Sequence, residues 1–188
     1  MNRAANYGYH GRILEVDLSK CYVQIRTLDP IMVENYLGGR GLATRIFYDE
    51  IDPGCEPLSE DNIIVIATSP LIGTRAPTAC RGHMVFKSPL TGMIATSNCG
   101  GSWANFFKST GYDVLLIKGK ASEPTMIDIT PEEVKIEAAN HLWGLDVHQT
   151  TEKLSTESRP GSRPRILCIG PAGENQVLIS SVMNENRA

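Results

Sequence analysis

The sequence predicts an α+β domain built from two similar, intertwined halves with mixed β-sheets. Two repeated patterns support this prediction. The hairpin pattern VDLSKCYVQI at residues 16–25 recurs as IDITPEEVKI at residues 127–136, and the strand and loop IVIATSP at 64–70 recur as RILCIGP at 165–171. The order hairpin, helix, strand, loop and strand therefore occurs twice. We expect one domain over residues 1–188, with internal repeats at roughly 11–90 and 113–183.

Helices are predicted where apolar residues recur at helical spacing between residues typical of helix ends. Asp29 has the side chain of an N-cap, and Pro30 suits the first helical position. The glycines of Gly38-Gly39-Arg40-Gly41 must break the helical pattern there. The predicted helices cover residues 29–37, 42–51, 102–111 and 146–156.

Strands are predicted where short apolar runs lie between turn residues. The run Ile63–Ala67 is β-branched, is too short to span a membrane, and ends at Ser69-Pro70, so it is predicted to be a buried strand. Gly170–Glu174 is predicted to be a loop before the last strand. Besides residues 63–67, the predicted strands include residues 13–16, 22–25, 113–118, 125–129, 133–136, 165–169 and 177–183.

Composition excludes several classes of function. The 188 residues are 41% hydrophobic and 21% charged, as in an ordinary soluble globular protein. A formal net charge of −3 leaves no dominant basic face for nucleic acid. The first nine residues lack the apolar core of a signal peptide, and no run reaches the length of a transmembrane helix. We expect a cytoplasmic protein with neither nucleic acid nor membrane as a partner.

Cysteine usage argues against a disulfide framework and against a self-contained zinc or iron–sulfur site. The cysteines are odd in number, and no two of them form a CxxC pair. They are Cys21, Cys55, Cys80, Cys99 and Cys168.

Two segments combine guanidinium, amide and hydroxyl side chains with glycine. They are Thr74–Arg81 and Thr96–Gly101. Such groups suit a phosphate-bearing ligand, because arginine forks and exposed N–H groups bind phosphate oxygens. The alternative is a pair of ordinary polar turns. Gly38–Gly41 has the composition of an anion site at a helix N-terminus, although the same residues also suit a simple turn between helices.

A long segment around these residues resembles a known family. The string RAPTACRGHMVFKSPLTGMIATSNCGGSWANFFKSTGYDVLLIKGKA is similar to the N-terminal domain of tungsten-containing aldehyde:ferredoxin oxidoreductases. Collinear similarity begins earlier with GRILEVDLS, YLGGRGLA and PLSEDN, and continues through AANHLWG, IGPAGEN and MNENRA. The resemblance covers nearly the whole chain. It also implies a duplicated α+β domain, in agreement with the repeats.

The resemblance implies a specific cofactor. In that family this domain is the base on which two molybdopterin groups hold one tungsten or molybdenum through dithiolene sulfurs, while magnesium bridges their phosphates. By this resemblance, Arg81 would contact a phosphate, Asn98 would give its side-chain oxygen to magnesium or a nearby water, and Gly100 would offer backbone to the pterin.

The closing residues and the glycine-rich helix start extend this implied site. Arg187 and the carbonyl of Ala188 would complete the magnesium and phosphate site. Arg40 and Gly41 would line the same cavity. The resemblance gives none of these residues a catalytic role.

The resemblance also implies the reaction of a complete enzyme, which would oxidise an aldehyde to a carboxylic acid with water. Two electrons would pass through a 4Fe-4S cluster to ferredoxin. The cysteines that hold that cluster lie in later domains absent from this chain, so the chain would need those C-terminal domains or a separate partner polypeptide. The face that meets them would be bare and could drive homodimer formation. Some relatives act on other substrates, including aromatic acyl thioesters.

Two other functions stay open on the residues alone. One is a non-catalytic phosphate or nucleotide-binding module that uses Gly38–Gly41 and Gly170–Gly173, although neither segment matches a P-loop or a dinucleotide fingerprint. The other is an interaction protein, which predicts an exposed apolar patch and no polar cavity. The cofactor-binding hypothesis instead predicts that Arg81, Asn98 and the C-terminal end converge on one side of the fold.

Overall fold

A mixed sheet of six strands forms the centre of the computed structural model, which describes residues 8–158 and 161–184. Its strands are β1 (Arg12–Asp17), β2 (Tyr22–Thr27), β3 (Ile64–Ala67), β4 (Gly82–Lys87), β5 (Ile94–Cys99) and β6 (Val114–Lys118). Their order across the sheet is β2-β1-β6-β3-β4-β5. Strands β1 and β6 are parallel, and the other neighbours are antiparallel.

The remaining strands form two small antiparallel pairs. One is the hairpin of β7 (Thr125–Ile129) and β8 (Val134–Ala138), and the other joins β9 (Leu167–Cys168) to β10 (Met183–Asn184). The helices are α1 (Pro30–Tyr36), α2 (Gly39–Glu50), α3 (Trp103–Ser109), α4 (Val147–Glu157) and α5 (Pro171–Glu174), with a 3₁₀ turn at Asn140–Leu142. Helices and mixed sheet together confirm the predicted α+β class.

The middle strands β3 and β6 are buried on both faces of the sheet, which explains why they read as nearly continuous apolar runs, whereas the edge strands β2 and β5 are largely exposed. In β6, Val114 and Leu116 join the core that contains Leu42 and Phe47 of α2. Leu115 between them joins the opposite core. That second core contains Trp103, Ala104 and Phe107 of α3, and partly buried residues of the β7–β8 hairpin pack against it. The later part of the chain therefore covers the sheet face opposite α2.

Helix starts follow local side-chain chemistry. Asp29 caps α1, and its Oδ1 accepts a hydrogen bond of 2.8 Å from the backbone N–H of Ile31. Asp146 begins α4 in a capping box with Gln149. Helix α2 begins at Gly39, earlier than the predicted residue 42. Because of this earlier start, Arg40 and Gly41 lie in its first turn.

The second half departs from two predictions. Gly170–Glu174 is not a loop, because Pro171 begins the short helix α5 and Glu174 N donates to the carbonyl of Gly170. The predicted strand at residues 177–183 is also wrong in length, since strand pairing covers only Met183–Asn184. The preceding residues form turns instead, with Ser180 N donating to the carbonyl of Val177.

The order hairpin, helix, strand, loop and antiparallel strand is present in both parts of the chain. The first part uses β1–β2, α1 and α2, β3 and β4, and the second uses β7–β8, α4, β9 and β10. The two parts differ in pairing. The first contributes to one six-stranded sheet, whereas the strands of the second form two separate pairs. The repeat boundaries at roughly 11–90 and 113–183 stay predictions.

Across the described residues, no helix is both long and apolar enough to cross a membrane.

Candidate functional site

Arg81 and Asn98 come together across two neighbouring strands. Arg81 immediately precedes β4, and the antiparallel register places His83 opposite Asn98 on β5. The Arg81 guanidinium donates through Nη1 to Oδ1 of Asn98. Both side chains are exposed. A cation and an amide are thus held at one edge of the sheet, where an anion can reach them from solvent.

The start of α2 lies against β4, the strand that begins directly after Arg81. Gly39 donates its N–H to the carbonyl of Thr68 over 2.7 Å, which brings the helix start to the end of β3. A side chain at Gly39 would place its Cβ 2.9 Å from Cδ2 of His83, and φ at Gly39 is +53°. Glycine is therefore required here for close packing against the imidazole. Arg40, the next residue, is exposed.

His83 reports the electrostatic character of this region. Burial lowers the pKa of His83 below its ordinary value, and the positive charges of Arg40 and Arg81 lower it further. Arg40 and Arg81 therefore act on the same imidazole from two different elements. Burial disfavours any charge here, whereas the positive charges of Arg40 and Arg81 favour an anion next to them. We call Arg40, Arg81, His83 and Asn98 the arginine cluster.

Gly100 is two residues beyond Asn98 and is tied to the end of the described chain. Asn184 Nδ2 donates to the carbonyl of Gly100 over 2.5 Å. The Asn184 side chain is only 4% exposed, and its Oδ1 is buried without a hydrogen-bond partner among the described residues. A Cβ built on Gly100 would meet no atom within 4 Å, so space is open at that position.

The predicted site residues divide into three groups. Arg81 and Asn98 are in contact, with Gly100 two residues further on. Arg40 is linked to the cluster by the effect of its charge on the pKa of His83. Gly41 is an exposed residue in the first turn of α2, and a Cβ added there would be 2.9 Å from the Tyr36 carbonyl oxygen. Arg187 and Ala188 lie outside the described residues. The predicted convergence can be followed only as far as Asn184, which does contact Gly100.

Sequence reasoning missed His83 and Asn184. His83 lies in an apolar run that predicts a strand, but its neighbours Arg40 and Asn98 depend on how α2 and β5 pack. Asn184 belongs to the segment MNENRA, which carries part of the family resemblance. That resemblance was the available signal, because burial of an asparagine cannot be predicted from its immediate neighbours.

The chemistry of the arginine cluster suits a phosphate-bearing cofactor. Guanidinium groups bind phosphate through paired, charge-assisted hydrogen bonds, and the open side of Gly100 leaves room for a ligand. Oδ1 of Asn184, whose amide nitrogen contacts Gly100, is a further polar group with no hydrogen-bond partner among the described residues. In residues 8–158 and 161–184, no three His, Cys, Asp or Glu side chains form a group that could hold a metal. The described residues therefore suit a phosphate-bearing group and do not by themselves supply a set of metal ligands.

Comparisons with known proteins identify the class. A family model described as aldehyde ferredoxin oxidoreductase, N-terminal domain, matches residues 13–188. The tungsten-containing aldehyde ferredoxin oxidoreductase of Pyrococcus furiosus is 40% identical over 179 residues, which are 95% of this chain and 29% of that protein. The fold and these matches define an N-terminal domain of an oxidoreductase. The chain belongs to the aldehyde ferredoxin oxidoreductase family.

Other relatives carry different names. The aliphatic sulfonate oxidoreductase, WOR-like subunit, of Pyrococcus furiosus is 30% identical over 193 aligned residues, covering 95% of this chain and 31% of that protein. A solved structure titled active site complex BamBC of benzoyl coenzyme A reductase with 1,5-dienoyl-CoA superposes with a TM-score of 0.91 at 36% identity. The superposed region is 95% of this chain and 27% of the chain in that structure. The chain thus spans under a third of the length of these relatives.

Proposed function

We propose that this chain binds the bis-molybdopterin cofactor of a tungsten or molybdenum oxidoreductase. The observation that carries the proposal is the arginine cluster. Arg81 contacts Asn98, and Arg40 acts on the same histidine as Arg81. The cluster lies in a member of a family whose relatives are named tungsten-containing enzymes.

Each residue of the cluster has a physical role in this proposal. Two phosphates held close together repel, so Arg81 and Arg40 lower the cost of bringing them together. The oxygen of Asn98 accepts from Arg81 and keeps a second lone pair for magnesium or a magnesium-bound water. Gly100, open on its Cα side, lets the pterin approach the backbone. When bound, the cofactor supplies the redox chemistry.

The C-terminal end completes the magnesium and phosphate site in this proposal. Arg187 would contribute a further guanidinium and Ala188 its carbonyl oxygen. Asn184 supports this role, because it is held at Gly100 and Arg187 follows it by three residues. Three residues can span at most about 10 Å, so Arg187 lies no further than that from Asn184.

The complete protein is proposed to oxidise aldehydes to carboxylic acids and to pass the electrons to ferredoxin. The name of the Pyrococcus furiosus relative supports this assignment. Because the chain spans 29% of that relative, the 4Fe-4S cluster is proposed to be held by further domains or by a separate polypeptide. A cytoplasmic location and a homodimer are also part of the proposal.

A second reaction is favoured by one observation. The structure of the benzoyl coenzyme A reductase complex superposes on this chain with a TM-score of 0.91. A fold shared this closely supports reduction of an aromatic acyl thioester as the alternative activity. Both reactions use the same proposed cofactor site, so the arginine cluster does not distinguish them.

Metal and pterin analysis tests the cofactor proposal. The protein should be purified anaerobically after expression of the complete reading frame that encodes it, with tungstate or molybdate in the medium. We expect about one tungsten or molybdenum and about two pterins per chain. Protein that is folded but free of metal and pterin under both supplements would overturn the proposal.

Activity assays distinguish the two reactions. The loaded protein should be given an aldehyde with an oxidised viologen dye, and separately benzoyl coenzyme A with a strong reductant. Viologen reduction that depends on aldehyde supports the first reaction, and dienoyl thioester formation supports the second. Loaded protein that is inactive in both assays would contradict both substrate assignments while leaving the cofactor proposal intact.

A further inference from the structure

Asn184 joins two segments that are distant in the chain. It lies on β10, paired with Leu167 of β9, and its Nδ2 donates to a carbonyl 84 residues earlier, at Gly100. The orientation of its amide is fixed by this contact. If the amide were reversed, Oδ1 would face the Gly100 oxygen, and two acceptors would repel each other.

Packing does not fix Gly100 on its open side. A Cβ at Gly100 would meet no atom within 4 Å, so no neighbouring side chain presses against this position. The hydrogen bond from Asn184 is therefore a specific restraint on the backbone just after β5. Asn98, two residues earlier, carries the contact with Arg81. A shift of the Gly100 backbone would therefore also displace Asn98 and disturb its hydrogen bond with Arg81.

Stability alone does not account for an asparagine at this position. Its side chain is 4% exposed, and Oδ1 is buried with no hydrogen-bond partner in the described part of the chain. An unmet buried acceptor is destabilising, and an apolar side chain of similar shape avoids that cost. Unsatisfied groups of this kind are rare in native proteins and require a specific explanation.

We propose that Asn184 is a positioning residue that holds the Gly100 backbone in place for the cofactor. This inference rests on the proposed function. It adds a buried residue of β10 to a site whose other described residues lie between Arg40 and Gly100. Asn184 acts through Gly100, and the amide is kept because the restraint on the cofactor side outweighs the cost of the buried oxygen.

The test separates positioning from a purely structural role. Asn184→Leu keeps a similar volume and removes both polar atoms. We expect the cofactor-free protein, from cells grown without tungstate and molybdate, to unfold at an unchanged or higher urea concentration. In the loaded protein, the rate of pterin release in mild urea should rise about three- to tenfold, the effect of losing one hydrogen bond. Pterin fluorescence and metal analysis measure that release.

Two further variants make the result decisive. Asn184→Ala removes the same amide without adding an apolar branch, and it should also speed pterin release if leucine prevents folding. Asn175→Leu is the matched control, because the exposed Asn175 amide also donates to a backbone carbonyl, that of Pro171. It should leave pterin release unchanged.

The outcomes distinguish this inference from the proposed function. Wild-type protein without pterin overturns both. Loaded wild-type protein whose Asn184 variants release pterin at the wild-type rate overturns the inference alone. The inference is also overturned if an Asn184 variant lowers the free energy of unfolding of the cofactor-free protein in proportion to its faster pterin release. That result would identify Asn184 as a structural residue.

Discussion

Asp113 shows how one buried carboxylate organises the N-terminal segment. Its Oδ1 forms an ion pair of 2.5 Å with Lys108, and the two side chains are 1% and 6% exposed. Its Oδ2 accepts from the backbone N–H groups of Gly11, at 2.7 Å, and His10, at 2.9 Å. Asp113 thereby ties the chain before β1 to α3 and to the start of β6. Its charge is compensated within the core by one cation and several dipoles.

Replacing Asp113 by asparagine should therefore be strongly destabilising. The substitution keeps an acceptor for the backbone donors but leaves the Lys108 ammonium buried without its counter-charge. We expect a loss of about 3 to 5 kcal/mol in the free energy of unfolding, measured by urea denaturation. The double variant Lys108→Met with Asp113→Asn should recover part of that loss. An equal effect from Asp128→Asn, on the exposed side of β7, would contradict this explanation.

Arg81 carries the corresponding prediction for the site. Arg81→Gln keeps hydrogen-bonding capacity toward Asn98 but removes the charge that is proposed to meet a phosphate. A hydrogen bond to a charged group contributes about 1.5 to 3 kcal/mol, so cofactor retention should weaken by about ten- to a hundredfold. Pterin and metal content per folded chain measures the change.

The control for Arg81 is an arginine outside the segments predicted to bind phosphate. Arg163 is also exposed and lies in the loop before β9. Arg163→Gln should leave pterin content at the wild-type level. Equal losses in the two variants would mean that general positive charge, and not the arginine cluster, retains the cofactor.

At the scale of the elements, helix α4 depends on its first turn. Asp146 Oδ1 accepts from the backbone N–H of Gln149 over 2.8 Å, and the Gln149 side chain accepts from the N–H of Asp146 over 3.1 Å. Thr150 is the one buried residue of this helix. Because packing of one face is what usually stabilises a helix in a protein, we expect the capping box to matter for α4.

Removing the cap should lower stability by a measurable amount. Asp146→Ala leaves the first N–H groups of α4 without their acceptor, and we expect a loss of about 1 kcal/mol in urea unfolding. Asp128→Ala removes an exposed carboxylate from a strand and should stay within about 0.5 kcal/mol of wild type. An Asp146→Ala midpoint equal to that of wild type would show that α4 is held by other contacts.

At the scale of the whole molecule, one charge network connects the sheet to α2. Glu50 at the end of α2 forms ion pairs of 2.7 Å with Arg26 of β2 and with Lys118 of β6. Glu15 of β1 pairs with the same two cations. Burial raises the pKa of Glu50, but hydrogen bonds from Lys118 and Arg26 outweigh burial and lower the pKa below its ordinary value.

This network predicts the direction of an acid effect. A carboxylate with a lowered pKa in the folded state adds stability above its unfolded pKa, which is about 4.3 for glutamate. That stability is lost as pH falls through the lower folded value. The free energy of unfolding of Glu50→Gln should therefore fall less steeply with pH below about pH 5 than that of wild type. Urea unfolding at several pH values measures this dependence. Glu34→Gln, on the exposed side of α1, is the control, and a curve for Glu50→Gln parallel to wild type would contradict the prediction.

Local patterns determined much of this protein from sequence. The Asp29 cap, the buried strand at β3 and the helical spacing of α4 depend on residues within a few positions of one another, so the chain itself encodes them. The motifs around Arg81 and Asn98 were sufficient to predict the family. The turns at residues 177–182 were not predicted, because an apolar run becomes a strand only where a partner strand is available.

Only the tertiary structure decided which distant residues meet. Strand β6 lies between β1 and β3 although the whole of α1, α2 and β3–β5 separates it from β1 in sequence. The packing of Gly39 against His83 and the hydrogen bond from Asn184 to Gly100 are of the same kind. Such contacts depend on how elements pack across long loops, and side-chain periodicity holds no information about that packing. The sequence therefore determined the elements and the family, and the fold decided the composition of the site.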